Sequence, residues 1–455
     1  TAGAAPQQTR IVNKKPRHQR SFFMRPPQVP ALDERAAACY DMDKCTRYRH
    51  NRVLPFEKSS SLSVENSQDT LLYYTSPRDA SGFDISRAET EERMKEYKVG
   101  IIGGTGMVGQ RFITLMENHP WFRLTVIAAS ARSAGKPYGE VVEKRWVMPT
   151  PIPACAKELV VMDAVADAEK IASLVDFCFC AVDMPKDEIR ALEERYAKLE
   201  CPIVSNNSAH RWTEDVPMVV PEINPEHLSV IPAQRKRLGT ERGFIAVKSN
   251  CSLQSYVPAL HPLRKYGLEA ALVCTYQAIS GAGKTFETWP EMVDNVIPYI
   301  GGEEEKSEQE PMKMWGHIEN GVIVNADSPK ITAQCLRVPV SNGHMAAVFM
   351  TLGKQTSVEE IKEIWQNYKG RAQELELPSA PKQFLHYFED PSYPQTKLQR
   401  DLEGGMAISL GRLRPDTQYD YKFVGLSHNT LRGAAGGSVL LGEFLVAEGY
   451  ITYKE

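Results

Sequence analysis

Beyond residue 97 the chain alternates short apolar runs with stretches whose apolar positions return at helical spacing, and before that point neither pattern occurs. The runs 98–102, 124–129 and 176–182 read as buried strands, with 202–204, 218–220 and 244–247 as further candidates. Helical spacing marks 187–199 between them. Strands alternating with helices predict a parallel, doubly wound sheet. Cys178 and Cys180 fall within one such strand and read as core side chains on its opposite faces. The stretch 253–266 has the spacing of a helix with one buried face. From residue 268 longer strand-like runs take over, at 270–278, 330–338, 346–352 and 407–413, and predict an α+β domain with a mixed or antiparallel sheet.

The first 97 residues are rich in Arg, Ser, Pro and Asp and poor in apolar side chains, so little fixed structure is expected beyond a short charged helix at 88–95. No acidic residue precedes Asp33, whereas Arg10, Lys14, Lys15, Arg17, Arg20 and Arg25 are basic. Organelle transit segments share that pattern, although a disordered tail explains it more simply. The net charge of −3 gives no reason to expect nucleic acid or an anionic membrane as a partner. No apolar run approaches the roughly 20 residues of a membrane helix. Nine dispersed cysteines form neither a disulfide framework nor a paired metal spacing. Reduced thiols, no metal and a cytoplasmic location are therefore expected, with an organelle left open by the basic N-terminal segment.

Strand 98–102 runs into Gly103, Gly104, Thr105, Gly106, Met107, Val108 and Gly109, then into helical spacing through Phe112 and Leu115. Gly104, Gly106 and Gly109 fit G-x-G-x-x-G, in which glycines serve a tight turn, close approach of backbone to pyrophosphate, and packing of helix on strand. The second strand does not end in the acidic residue that would hold the ribose hydroxyls of NAD; Ser130, Ala131, Arg132 and Ser133 stand there. Hydroxyls and a guanidinium suit a 2′-phosphate, so NADP is the expected dinucleotide. As a solvated loop charge, Arg132 would carry no such meaning.

Strand 244–247 leads to Ser249, Asn250, Cys251 and Ser252. A thiol at the start of the predicted helix meets unpaired N–H groups and the positive end of the dipole, which lower its pKa and favour a nucleophilic thiolate; a buried structural cysteine is the commoner fate. Gln277 ends a later strand in the small-residue turn 278–283, and Arg337 ends another ahead of the turn that leads to His344. A guanidinium suits bidentate carboxylate binding, and an imidazole exchanges protons near neutral pH. Alone, His344 reads more naturally as structural.

With 103–109, 205–211, 249–252, the Gln277 turn, 302–306 and 337–344 in this order, the chain from residue 98 onward resembles aspartate-β-semialdehyde dehydrogenase, of the branch shared by archaea, fungi and some bacteria. The resemblance implies NADPH-dependent reductive dephosphorylation of L-aspartyl 4-phosphate to L-aspartate 4-semialdehyde and phosphate, on the route to lysine, threonine and methionine. It implies Cys251 as the nucleophile that carries a thioester, Asn250 beside the oxyanion, His344 as the acid/base group and Gln277 as an orienting residue. Arg337 would hold the α-carboxylate, Glu303 the ammonium, Lys306 and Arg211 the phosphate, with Asn429 near the nicotinamide. Glu304 and Glu305 stay open as alternatives to Glu303, since 303–306 in isolation reads as a solvated helix face.

The implied architecture is an extension over 1–97, a Rossmann-like NADP domain over 98–248 completed by a C-terminal helix within 428–455, and a catalytic and dimerisation domain over 249–427, assembled as a homodimer or homotetramer. Two readings compete with it. One is a related acyl-phosphate reductase of the N-acetyl-glutamyl-phosphate or phosphorylating glyceraldehyde-phosphate type. The other is a noncatalytic nucleotide-sensing protein that docks through its N-terminal segment.

Overall fold

A computed structural model describes residues 96–454, and the expectations placed on 1–95 lie outside the described residues. Strands β1 (Tyr97–Ile102), β2 (Phe122–Ala129), β3 (Met162–Asp163), β4 (Phe177–Cys180), β5 (Ile203–Ser205) and β6 (Ile245–Val247) form a parallel sheet in the order β3-β2-β1-β4-β5-β6. Strand order reverses between β1 and β4, and doubly wound sheets bind ligands outside the carboxyl ends of the strands at such a switch. Phe177 and Phe179 face one core layer, Cys178 and Cys180 the other. The two cysteines are core residues, but they share a face, because residues two apart in a strand point the same way. Residues 218–220 form no strand: between Pro217 and Pro221 there is an isolated bridge, Met218 to Val247.

Helix α1 (Met107–Met116) buries Gly109, Phe112, Ile113 and Met116, one stripe at helical spacing. Helices α2 (Ala168–Leu174) and α3 (Lys186–Lys198) make further crossovers, α3 burying Ile189, Leu192 and Tyr196.

The second sheet is mixed. Its members are β7 (Leu268–Gln277), β10 (Lys330–Arg337), β11 (His344–Leu352), β12 (Leu385–Phe388), β13 (Ile408–Pro415) and β14 (Tyr421–Ser427), while β8 (His317–Glu319) and β9 (Val322–Val324) form a separate hairpin. The order is β10-β7-β11-β14-β13-β12, with β10/β7 and β13/β12 parallel and the other neighbours antiparallel. Buried and half-exposed residues alternate along the whole of β11, so one face closes on the core and the other stays half open. Strands β12 and β14 escape the apolar pattern, the first being short and the second interrupted by Lys422 and Gly425. Helix α4 (Glu303–Met314) lies along β10, and α5 (Val358–Asn367) buries Ile361 and Trp365. Helix α6 (Ala435–Ala447) returns to the first sheet. It is buried without interruption from Ala435 to Leu445, and a β-carbon on Gly442 would come within 3.0 Å of the Phe179 ring.

The helix expected over 253–266 is broken into a 3₁₀ segment, Ser252–Ser255, an α segment, Val257–Leu260, and a second 3₁₀ segment, His261–Tyr266. Pro258 and Pro262 account for the breaks, since each lacks the N–H that would continue the ladder and sits in the first turn of a new segment. Strand β14 supports the first of these segments so closely that a β-carbon on Gly425 would lie 1.9 Å from the Ser255 carbonyl oxygen. Gly425→Ala should therefore displace the turn that follows Cys251 and lower stability by roughly 1–3 kcal/mol, read from the urea unfolding midpoint. An unchanged midpoint would mean that strand and turn separate more easily than their contact implies.

Candidate active site

The glycine turn depends on missing side chains. A β-carbon on Gly109 would lie 2.2 Å from the Gly103 oxygen, and one on Gly103, at φ +90°, would lie 2.3 Å from the Ala181 oxygen. The Tyr138 hydroxyl donates to the Gly104 oxygen at 2.9 Å and braces the turn. Gly103, Thr105, Gly106, Ser130, Arg132 and Ser133 line a cleft of about 710 Å³ at the β1/β4 switch. Gly104 and Gly109 serve packing, Met107 borders a neighbouring recess, and Val108 reaches the cleft that holds Cys251, so the turn passes from one cleft to the other. Arg145 is a second guanidinium on the wall of this cleft, 3.4 Å from Ser133 Oγ. Gln110 of α1 clamps its loop, donating to the Arg145 oxygen and accepting the Val147 N–H, both at 2.9 Å. No motif spacing connects Arg145 to the glycines, so the sequence reading misses it.

The second cleft, of about 280 Å³, is lined by Arg211, Asn250, Cys251, Glu303, Lys306 and Asn429. Helix α4 organises it. Glu304 turns to β10, accepting from Gln334 Nε2 at 2.8 Å and from the Cys335 N–H at 3.2 Å, and Glu305 is exposed, so Glu303 is the member of the run that faces the cleft. Its carboxylate accepts from Lys306 Nζ at 2.7 Å, from Asn250 Nδ2 at 3.1 Å on both oxygens, and from Gln277 Nε2 at 3.3 Å. Burial pushes this carboxyl up, but the Lys306 charge and these donors outweigh burial and hold it below the ordinary range.

Two turns further, Glu310 accepts from Arg211 Nη1 at 2.9 Å and from the Asn250 N–H at 2.6 Å. Lys313 Nζ then donates to the carbonyls of Arg211, Thr213 and Val216 at 2.7–2.9 Å. Glu303, Lys306, Glu310 and Lys313 follow one helix face at spacings of three and four. Pro311 interrupts the ladder within this helix, leaving the Ser307 carbonyl without an N–H partner, and the Tyr256 hydroxyl takes that place at 2.9 Å.

Cys251 does not have the thiol expected from the sequence. The segment after it is a four-residue 3₁₀ turn with little dipole, and its first N–H, of Ser252, is already bonded to Asn250 Oδ1 at 2.8 Å. Burial pushes the thiol up, Glu303 adds to the rise, and Lys248, Arg211 and Arg337 pull against it; the net direction is up. Lys248, buried and donating to the Ser249 oxygen at 2.9 Å, is pushed down to about 7 by burial.

His344, at the start of β11, accepts the Ala278 N–H on Nδ1 at 3.0 Å, which assigns the ring proton to Nε2. Nε2 is buried and has no protein partner. Burial first and Arg337 second push the imidazole down to about 3, so it is neutral at ordinary pH. Nε2 and Arg337 Nη1 both lie beneath Gly281 of the cleft wall, where a β-carbon would come within 3.1 Å and 2.9 Å of them. Arg337 Nη1 also donates to the Ala278 oxygen at 2.7 Å. Asn429 fixes the turn ahead of His344, accepting the Gly343 N–H at 2.7 Å and donating to Ser280 Oγ at 2.9 Å. Gln277 thus joins the cleft through Glu303, and Arg337 and His344 join it beside Gly281. Glu310 and Lys248 are absent from the sequence reading; the only signal for Glu310 is its spacing of two helical turns from Glu303.

Among the described residues no helix is long and apolar enough to cross a membrane, and no group of three or more His, Cys, Asp or Glu is placed to hold a metal ion.

Residues 98–231 match the family described as semialdehyde dehydrogenase, NAD binding domain, and residues 260–432 match semialdehyde dehydrogenase, dimerisation domain. Aspartate-semialdehyde dehydrogenase of Archaeoglobus fulgidus is 43% identical over 352 residues, covering 77% of this chain and 98% of that protein. The enzyme of the same name from Saccharomyces cerevisiae is 41% identical over 366 residues, with coverage of 77% and 98%. The fold is similar to the crystal structure of aspartate semialdehyde dehydrogenase with NADP from Candida albicans, with a TM-score of 0.71 and 36% identity over 78% of this chain and 100% of that one.

Alkylation of Cys251 by iodoacetamide in the ligand-free protein should have a pH midpoint above that of an ordinary thiol, and Glu303→Gln should move the midpoint down by removing a negative neighbour. A native midpoint below the ordinary thiol range would show that Lys248, Arg211 and Arg337 outweigh burial.

Proposed function

The chain belongs to the aspartate-semialdehyde dehydrogenase family, and we propose that the cleft around Cys251 performs that family's reaction, the NADPH-dependent reductive dephosphorylation of L-aspartyl 4-phosphate to L-aspartate 4-semialdehyde, in the formation of lysine, threonine and methionine. The observation that carries this reading is the meeting of a thiol, the Glu303 carboxylate and the cations Arg211 and Lys306 on one cleft, with Arg337 directly beneath its wall. A substrate that bears an ammonium, an α-carboxylate and an acyl phosphate needs every one of these groups. An N-acetylated substrate offers Glu303 no ammonium, and a nucleotide sensor has no use for the thiol.

Ser130, Arg132, Ser133 and Arg145 would hold the 2′-phosphate of NADPH, which supplies the hydride. Arg337 and Glu303 fix the charged ends of the amino acid, while Arg211 and Lys306 hold the phosphate; the substrate ammonium replaces Lys306 on Glu303. Cys251 reacts as its thiolate, the thiol proton passing to solvent because His344 Nε2 already carries a hydrogen; the sulfur bonds to the acyl carbon, and the carbon–oxygen bond to phosphate breaks with phosphate leaving as the anion. After reduction of the thioester the carbon–sulfur bond breaks, giving the aldehyde and regenerating the thiolate. In both stages charge gathers on the carbonyl oxygen, and His344 acts by donation from Nε2, its Nδ1 being occupied by the Ala278 N–H. Asn250 and Gln277 orient Glu303, and Asn429 holds the turn ahead of His344. Subunits would pair as a homodimer or homotetramer through the half-open face of the second sheet, within 260–432. Seven free cysteines among the described residues suit a reducing compartment such as the cytoplasm.

Aspartate semialdehyde should drive NADP reduction only when phosphate is present, and Cys251→Ser should lower that rate by roughly three orders of magnitude or more. Absence of turnover by the well-folded native protein would sink the reading. In the same assay Arg145→Ala should raise the KM for the phosphorylated dinucleotide roughly tenfold and leave that for NAD unchanged. Equal effects on both dinucleotides would remove Arg145 from the 2′-phosphate site.

A further inference from the structure

We infer that Glu310 is a positioning residue that sets the phosphate subsite by fixing Arg211 relative to Cys251; the inference rests on the reaction proposed above. The Glu310 carboxylate is completely buried, and both of its partners are donors. One oxygen holds the guanidinium proposed for phosphate, and the other holds the backbone N–H of Asn250, the residue ahead of the nucleophile. A single side chain thereby ties the group that receives phosphate to the group that displaces it.

The rest of Arg211 is held as firmly. Nε donates to the Lys248 oxygen at 3.0 Å, Nη2 to the Asn206 oxygen at 3.4 Å, and its own carbonyl accepts Lys313 Nζ at 2.8 Å. A guanidinium has five N–H groups, and the three engaged here leave one on Nη1 and one on Nη2 for an anion in the cleft that Arg211 lines. Two N–H groups on one guanidinium can together hold a phosphate oxygen or two. Electrostatics alone would argue against a carboxylate in this place, because it opposes a bound anion, so its contribution is geometric. It also offsets the Arg211 charge, leaving Arg211 to bind phosphate by directed hydrogen bonds while Lys306 supplies the net positive charge. That division suits a group that must be held and released in every turnover.

Glutamine cannot replace this carboxylate. It offers one acceptor and one donor where two acceptors are required, so its NH₂ must oppose either Arg211 or the Asn250 N–H. The test is steady-state kinetics in the semialdehyde-oxidising direction, with inorganic phosphate varied at saturating NADP and aspartate semialdehyde. For Glu310→Gln the KM for phosphate is expected to rise roughly tenfold to a hundredfold, as for loss of a hydrogen bond to a charged group, with the KM values for NADP and aspartate semialdehyde within about twofold of native. Glu310→Asp keeps two acceptors on a shorter arm and should fall between native and Glu310→Gln; it decides the matter alone if Glu310→Gln does not fold. Arg211→Met cannot form the bridge, so adding Glu310→Gln to it should raise the phosphate KM little further, whereas full additivity would assign the effect to general damage and overturn the inference. Unchanged phosphate KM in both Glu310 variants would also overturn it while leaving the reaction standing. Native turnover that is independent of phosphate would instead overturn the reaction itself.

Discussion

A carboxylate removed from water is stable only where its neighbours are donors, and two such carboxylates on one face of α4 govern this site. Glu303 gathers Lys306, Asn250 and Gln277, and Glu310 gathers Arg211 and the backbone of Asn250. Asn250 belongs to both sets and in addition accepts the Ser252 N–H through Oδ1. The residue ahead of Cys251 is thus fixed at its backbone nitrogen and at both ends of its side-chain amide. The thiol follows the strand end of the first sheet in sequence, yet its position is set by a helix that lies against the second.

The same arrangement explains how charge is distributed around Cys251. A long helix would have placed a diffuse positive potential on the sulfur. Pro258 and Pro262 preclude one, and discrete cations stand in its stead, Lys248 beside the sulfur in sequence, Arg211 from the loop after β5 and Arg337 from the end of β10. Discrete charges can also meet a substrate, which a dipole shared over several peptide units cannot do with the same direction. Helix α4 itself tolerates an internal proline because Tyr256 satisfies the carbonyl that Pro311 leaves unpaired.

The first sheet was legible where its signals are local: a strand, a glycine turn and a helix follow one another within 97–116. Apolar runs mark β1, β2, β4, β5 and β6, whereas the two-residue β3 carries no such run and 218–220 carries one without forming a strand. The motifs named residues that the fold gathers around one cleft, Arg211, Asn250, Cys251, Glu303, Lys306 and Asn429, but not the contacts that hold them there. Glu310 and Arg145 carry no sequence signal because their contacts lie far away along the chain, Asn250 for the one and the cleft lined by the glycine turn for the other. The helix expected after Cys251 is broken for a local reason that apolar spacing does not register, the two prolines Pro258 and Pro262. Cys178 and Cys180 were assigned to opposite faces when a two-residue step returns to the same face.

Helix α6 packs against α1 and fills the layer over Phe122 and Phe179, although more than 300 residues separate it from α1. During synthesis, then, the first sheet emerges long before the element that covers this face, and its aromatic rings stay uncovered while the whole second sheet is made. Closing so long a loop slows folding, and surface left open in the interval is where chains stick to one another or to chaperones. The completed nucleotide layer is consequently a late event in the life of the nascent chain, available only after the residues that form the Cys251 cleft have already been made.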